Sequence, residues 1–160
     1  VDHRRFADRE SFEQALRRTI DEYEPDLLVL AGFMRVLGDD FVDHYRGRAL
    51  NIHPSLLPAY RGLRTHERVL DAGDSEHGSS VHYVTPELDG GPVVARTRLP
   101  VRPDDDAESL AARVKAREHR LYPTVIEWIA RGRLVWHDDG PWLDGRPLKE
   151  PVELEEGAHP

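Results

Sequence analysis

Cysteine is absent from the 160 residues. That excludes a disulfide-stapled scaffold, a thiolate metal centre and a cysteine nucleophile. No stretch approaches the ~20 consecutive apolar residues of a membrane helix. The opening run Val1-Asp2-His3-Arg4-Arg5 lacks the charged-then-apolar pattern of a leader. A cytoplasmic chain with no membrane partner is the resulting expectation. Basic residues are the minority, 22 against 30 acidic, for a formal charge of -8. A broad nucleic-acid surface needs the opposite balance. No G-x-S-x-G elbow occurs, and no glycine-rich loop joins a strand to a helix.

What remains is enough chain for one compact domain, with no repeat and no low-complexity linker. Phe12, Leu16, Ile20 and Tyr23 recur at helical spacing between Asp8 and Tyr23. Asp8 or Ser11 can cap that helix, and Ser11 with Gln14 fits a capping box. Leu27 to Ala31 is a continuous apolar run, the pattern of a parallel strand buried on both faces. A short helix over Asp40–Tyr45 and a second strand, Ala49–His53, follow, and Pro54 stops that strand. Thr65 is placed to cap a helix that Gly73 ends. Ser79 to Val84 alternates like a half-buried strand and pairs with Val93–Thr97 as an antiparallel hairpin around Asp89-Gly90-Gly91-Pro92. After Pro103 and three aspartates comes a long helix carrying Leu110, Val114, Leu121, Val125 and Ile129. Pro123 is expected to kink or restart it. A small hairpin around Asp139-Gly140 closes a single domain over residues 1–148, and 149–160 reads as an acidic mobile tail. The class is α/β, a mostly parallel sheet flanked by helices with an antiparallel hairpin. Two parallel strands bury too little surface, so a further βα unit is expected upstream of residue 1.

The chemistry concentrates at the end of the second strand. Residues i and i+2 share a face, so Asn51 and His53 point together from the carboxyl end of a strand, where open α/β sheets bind ligands. An asparagine amide can donate to an oxyanion, and a histidine can carry a proton near neutrality. Taken alone, a polar strand end before a proline turn is the simpler reading. Asp89 is the second candidate, since a carboxylate beside His53 would orient the imidazole and favour its charged form. Asp-Gly is equally a common turn dipeptide. His53, His66 and His82 could form a three-histidine metal set, though surface or core placement explains each of them. Glu118, between Arg117 and His119, fits a solvated helix face.

Three runs change the balance. Leu30-Ala31-Gly32-Phe33-Met34-Arg35, Asn51-Ile52-His53-Pro54-Ser55-Leu56-Leu57-Pro58 and Leu88-Asp89-Gly90-Gly91-Pro92 resemble the folate-dependent formyltransferases. Tyr60 to His66 and Gly78 to Thr85 are similar to the branch that formylates glycinamide ribonucleotide. The likeness extends in order from about Phe6 to Leu148.

It implies a Rossmann-like fold, 10-formyltetrahydrofolate as co-substrate, no metal, small-molecule substrates only, and a monomer or homodimer. It also implies roles. Asn51 would donate to the tetrahedral oxyanion, His53 would act as general acid, and Asp89 would assist the imidazole and the proton relay. Arg9, Met34, Arg35, Val36 and Leu37, with Thr85, Pro86, Glu87, Leu88 and Asp89, would meet the folate. Lys115, Ala116, Arg117 and Glu118 would meet the ribonucleotide. The family opens with a strand and a Gly-Ser/Asn phosphate cradle, which this chain is expected to lack. Arg64 stands where a histidine is common, and Pro86 where a more polar residue is usual. Two alternatives remain open: hydrolysis of the formyl-folate by the same trio, and a folate-binding fragment without turnover.

Overall fold

The structure, a computed structural model, describes residues 1–32 and 36–155. Helix α1 spans Arg9–Asp21, and Asp8 is its cap, accepting from the Ser11 amide. Strand β1, Leu28–Leu30, leads to the short helix α2, Asp39–His44, and then to β2, Ala49–His53. Helix α3 covers Thr65–Ala72, β3 Glu76–Tyr83 and β4 Val93–Pro100. The long helix α4 runs Ala107–Ala130, opened by an Asp106–Ser109 capping box. Strands β5 (Leu134–His137), β6 (Gly140–Leu143), β7 (Arg146–Pro147) and β8 (Val152–Leu154) complete the order.

Two sheets result. One has the order β1-β2-β3-β4-β8, and the other is the small antiparallel β5-β6-β7. In the larger sheet β1 and β2 are parallel, as are β4 and β8, while β3 alone runs the other way. Four of its strands therefore share a direction, as the α/β reading requires. Alternation along β2 divides the core. Leu50 packs with Val81, Val94, Leu121, Val125 and Trp128 on the α4 side. Ala49 packs with Phe41 and Tyr45, against Leu16 and Ile20 of α1, on the other. A third cluster, Val69, Leu99, Leu110 and Val114, joins α3 to α4 beside the strand ends.

Several expectations are corrected. β1 is not buried on both faces, because Val29 is 39% exposed at the sheet edge. β3 is not half-buried. Every residue from His77 to Tyr83 is buried, since the strand lies between β2 and β4. Its polar residues are paid for by specific bonds: Ser80 Oγ donates to the Ser55 carbonyl at 2.7 Å and accepts from the Leu57 amide at 3.0 Å. Arg64, in the left-handed region, is the residue ahead of α3, so Thr65 is the first helical residue instead of the cap. Pro123 does not interrupt α4. It sits on the exposed face, where the carbonyl it frees can meet water, while Leu121, Tyr122 and Val125 hold both sides of it to the sheet. The C-terminal segment read as a mobile tail supplies β8, paired with β4 from Ala95–Val152 to Thr97–Leu154. Within it Glu153 receives Arg96 and Arg98. Residues 156–160 of that tail lie outside the described residues.

Candidate active site

A cavity of about 650 Å³ opens between the carboxyl ends of β1 and β2, the 85–89 loop and the first half of α4. Asn51 and His53 both line it, as their shared strand face requires. Asp89 reaches it from the β3–β4 connection, with its backbone in the left-handed region at φ 48°. His53 Nδ1 lies 3.4 Å from Asp89 Oδ2, and both side chains are 8% exposed. His53 Nε2 lies 2.8 Å from the Tyr60 carbonyl. Both ring nitrogens thus face oxygens that only accept. Asp89 Oδ2 also accepts from the Gly62 amide at 2.9 Å, so the 60–62 backbone touches both members of the pair.

The sequence offers His82 as one of three candidate metal ligands, and the structure gives it a different place. Its Nδ1 faces the Tyr83 carbonyl at 3.0 Å, which makes that nitrogen the donor and leaves Nε2 to accept. Asn51 Nδ2 lies 3.4 Å from that Nε2. One amide hydrogen is therefore turned toward His82, leaving the other for the cavity. Burial pushes the His82 imidazole below its ordinary range, consistent with a neutral acceptor. His82 Nε2 is 3.7 Å from Asp89 Oδ1, so one carboxylate stands between two histidines. His66, also in the cavity wall, pairs with His77, Nδ1 to Nε2 at 2.9 Å. Among the described residues no three-histidine set forms.

The apolar wall includes Val36 and Leu37, and the 85–89 segment contributes Thr85, Pro86, Glu87, Leu88 and Asp89. Met34 and Arg35, assigned to the same wall by resemblance, lie outside the described residues. Arg9 does not line the cavity. It is exposed on α1 and lies 3.8 Å from Glu13, whose carboxylate accepts from the Gly38 amide at 2.8 Å. Lys115 and Glu118 line the cavity together with Ala111 and Val114, one helical face at i, i+3, i+4 and i+7. Ala116 and Arg117 fall off that face, and Arg117 reaches the Arg98 carbonyl at 3.2 Å. Thr65 Oγ1 is a buried hydroxyl in the wall with no hydrogen-bond partner among the described residues. Sequence reasoning missed Ser79, whose hydroxyl is 2.8 Å from Glu118 Oε1 and 2.9 Å from the His53 carbonyl. The only sequence signal was its place in the Gly78-to-Thr85 run, next to a second serine, Ser80.

An amide, an imidazole with a carboxylate beside it, and a largely apolar chamber are the parts that group transfer at a carbonyl calls for. A model of the formyl transferase family matches residues 1–126, and the chain belongs to that family. It is 54% identical over 143 residues to phosphoribosylglycinamide formyltransferase of Escherichia coli strain K12, covering 89% of this chain and 68% of that protein. It is 38% identical over 140 residues to the trifunctional purine biosynthetic protein adenosine-3 of Bos taurus, covering 88% of this chain and 14% of that one. Among solved structures, phosphoribosylglycinamide formyltransferase from Coxiella burnetii superposes with a TM-score of 0.87 at 54% identity, over 94% of this chain and 72% of the other. The α/β class and the family read from the motifs agree with these findings.

Proposed function

We propose that this chain transfers the formyl group of 10-formyltetrahydrofolate to the amine of glycinamide ribonucleotide. The amine nitrogen attacks the formyl carbon, forming a C–N bond and a tetrahedral oxyanion. The bond to the folate N10 then breaks, with a proton delivered to N10 and one lost from the attacking nitrogen. Asn51 donates its remaining amide hydrogen to the oxyanion. His53 supplies the proton to N10, and Asp89 aims the ring and takes part in removing the amine proton. Val36, Leu37 and the 85–89 segment form the folate wall, to which the same reading adds Met34 and Arg35. Lys115 and Glu118 meet the ribonucleotide. Two small-molecule substrates, a cytoplasmic location and a monomer or homodimer complete the reading. The observation that carries it is the His53–Asp89 approach of 3.4 Å beside Asn51 in the cavity wall.

The test is a pair of reactions with 10-formyltetrahydrofolate, with and without glycinamide ribonucleotide. Tetrahydrofolate should appear only with the ribonucleotide, matched mole for mole by formylated product on mass spectrometry. Formate release without the ribonucleotide would mean hydrolysis. Folate binding with neither product would leave only a binding fragment.

A further inference from the structure

Ser79 is fully buried on β3 and stands between two acceptors, the Glu118 carboxyl and the His53 carbonyl. A hydroxyl has one proton to give. The His53 carbonyl already accepts from the Ser55 amide at 2.9 Å. Glu118 accepts from the Ser79 hydroxyl at 2.8 Å, the donor seen among the described residues. Leaving a part-buried carboxylate without a donor is the costlier choice.

We infer that Ser79 is a positioning residue for Glu118: its hydroxyl gives that one proton to the carboxylate and aims it into the cavity. This rests on the reading above, in which Glu118 meets the ribonucleotide. Burial alone pushes the Glu118 carboxyl upward, and the Ser79 hydrogen bond opposes it. The charged or titratable groups around Glu118 are Lys115 and His119 on its own helix, His53 of β2, and His66 of α3 in the same cavity wall. A serine can hold this post because β3 is pinned on both sides. Its Oγ is therefore placed by the sheet and not by its own short side chain.

The test follows the ionisation of Glu118 by carboxyl ¹³C NMR, with Glu118→Gln identifying the signal, alongside KM for each substrate. Ser79→Ala should move the titration midpoint measurably higher. It should raise KM for the ribonucleotide roughly ten- to a hundredfold while KM for the formyl donor stays put. Ser79→Thr, which keeps the hydroxyl, should restore both. Should Ser79→Ala fail to fold, Ser79→Cys, similar in size and a weak donor, should give the same shift. An unmoved or lowered midpoint overturns the inference, as does an equal rise in both KM values, which a merely structural role would give. If the wild-type protein forms no formylated ribonucleotide while the midpoint still rises, the functional reading fails and the role of Ser79 stands. If transfer proceeds and the midpoint does not move, the role of Ser79 alone is lost.

Discussion

The Asp89 carboxylate approaches His53 with one oxygen and His82 with the other, at 3.4 Å and 3.7 Å. The two histidines come from different strands, β2 and β3, so their separation is set by sheet pairing, and the carboxylate is brought to them by the loop after β3. The same oxygen that faces His53 accepts the Gly62 amide, so its position does not depend on the histidine alone. His53→Asn should therefore leave the fold and folate-analogue binding intact. It should lower kcat/KM by roughly 10²–10⁴, the usual worth of a positioned proton carrier. Steady-state kinetics with a thermal-shift control checks this; transfer within threefold of the natural protein would remove His53 from the chemistry.

Acid should weaken the protein through a second pair of histidines. Burial lowers His77 from 6.5 to about 4 and lowers its partner His66 as well. Because the folded value lies below the unfolded one, the unfolded chain binds more protons between about 4 and 6.5. The stability contributed by His77 is thus complete above 6.5, falls as the pH drops through that window, and levels off below about 4. Melting temperature measured across the window, with His77→Asn beside the natural protein, should show a shallower acid decline in the variant. Parallel curves would mean that the pair does not titrate as its burial dictates. Since His66 belongs to α3, this loosening would reach the segment that lines the cavity.

Gly91 is needed for lack of a side chain. A Cβ there would lie 1.8 Å from the Tyr83 carbonyl oxygen, a backbone atom fixed in β3. Gly91→Ala must push the 85–91 connection outward, and it should cost about 1–3 kcal/mol as an overpacked site. Asp89 rides on that connection, so formyl transfer should fall further than the drop in melting temperature explains. Activity matching the natural protein in this variant would show that Asp89 is not held from this side.

Tyr122 fastens α4 to the sheet. Its hydroxyl is 2.6 Å from the Leu30 carbonyl and 3.1 Å from that of Leu50, bridging β1 and β2 at the cavity end. Tyr122→Phe should destabilise the protein by about 1 kcal/mol, the net worth of such a bond. Chemical denaturation measures it directly. The adjacent Pro123 makes this anchor more informative, because helix α4 continues through a residue that gives no amide proton.

Motif order made the family legible before any fold was known, and strand alternation put Asn51 and His53 on one face. Asp89 was legible only as a member of the Leu-Asp-Gly-Gly-Pro run, since a turn aspartate carries no directional signal of its own. The roles of Ser79 and His82 were not legible. Both lie in β3, whose alternation pointed to one wet face, and burial on both faces follows from its central place in the sheet. Val29 failed in the opposite sense: an apolar run says that a strand is apolar, not how many neighbours cover it.

Local sequence determined what local physics controls: where α1 and α4 start at aspartate caps, where β2 stops at Pro54, and which residue types could carry a proton or bind an oxyanion. Tertiary structure alone decided which of those groups meet. The approach of Asp89 to His53, the turning of Asn51 by His82 and the placing of Glu118 by Ser79 each depend on strand order and on a loop's path. Those are set by the packing of the whole chain, and no window of neighbouring residues encodes them.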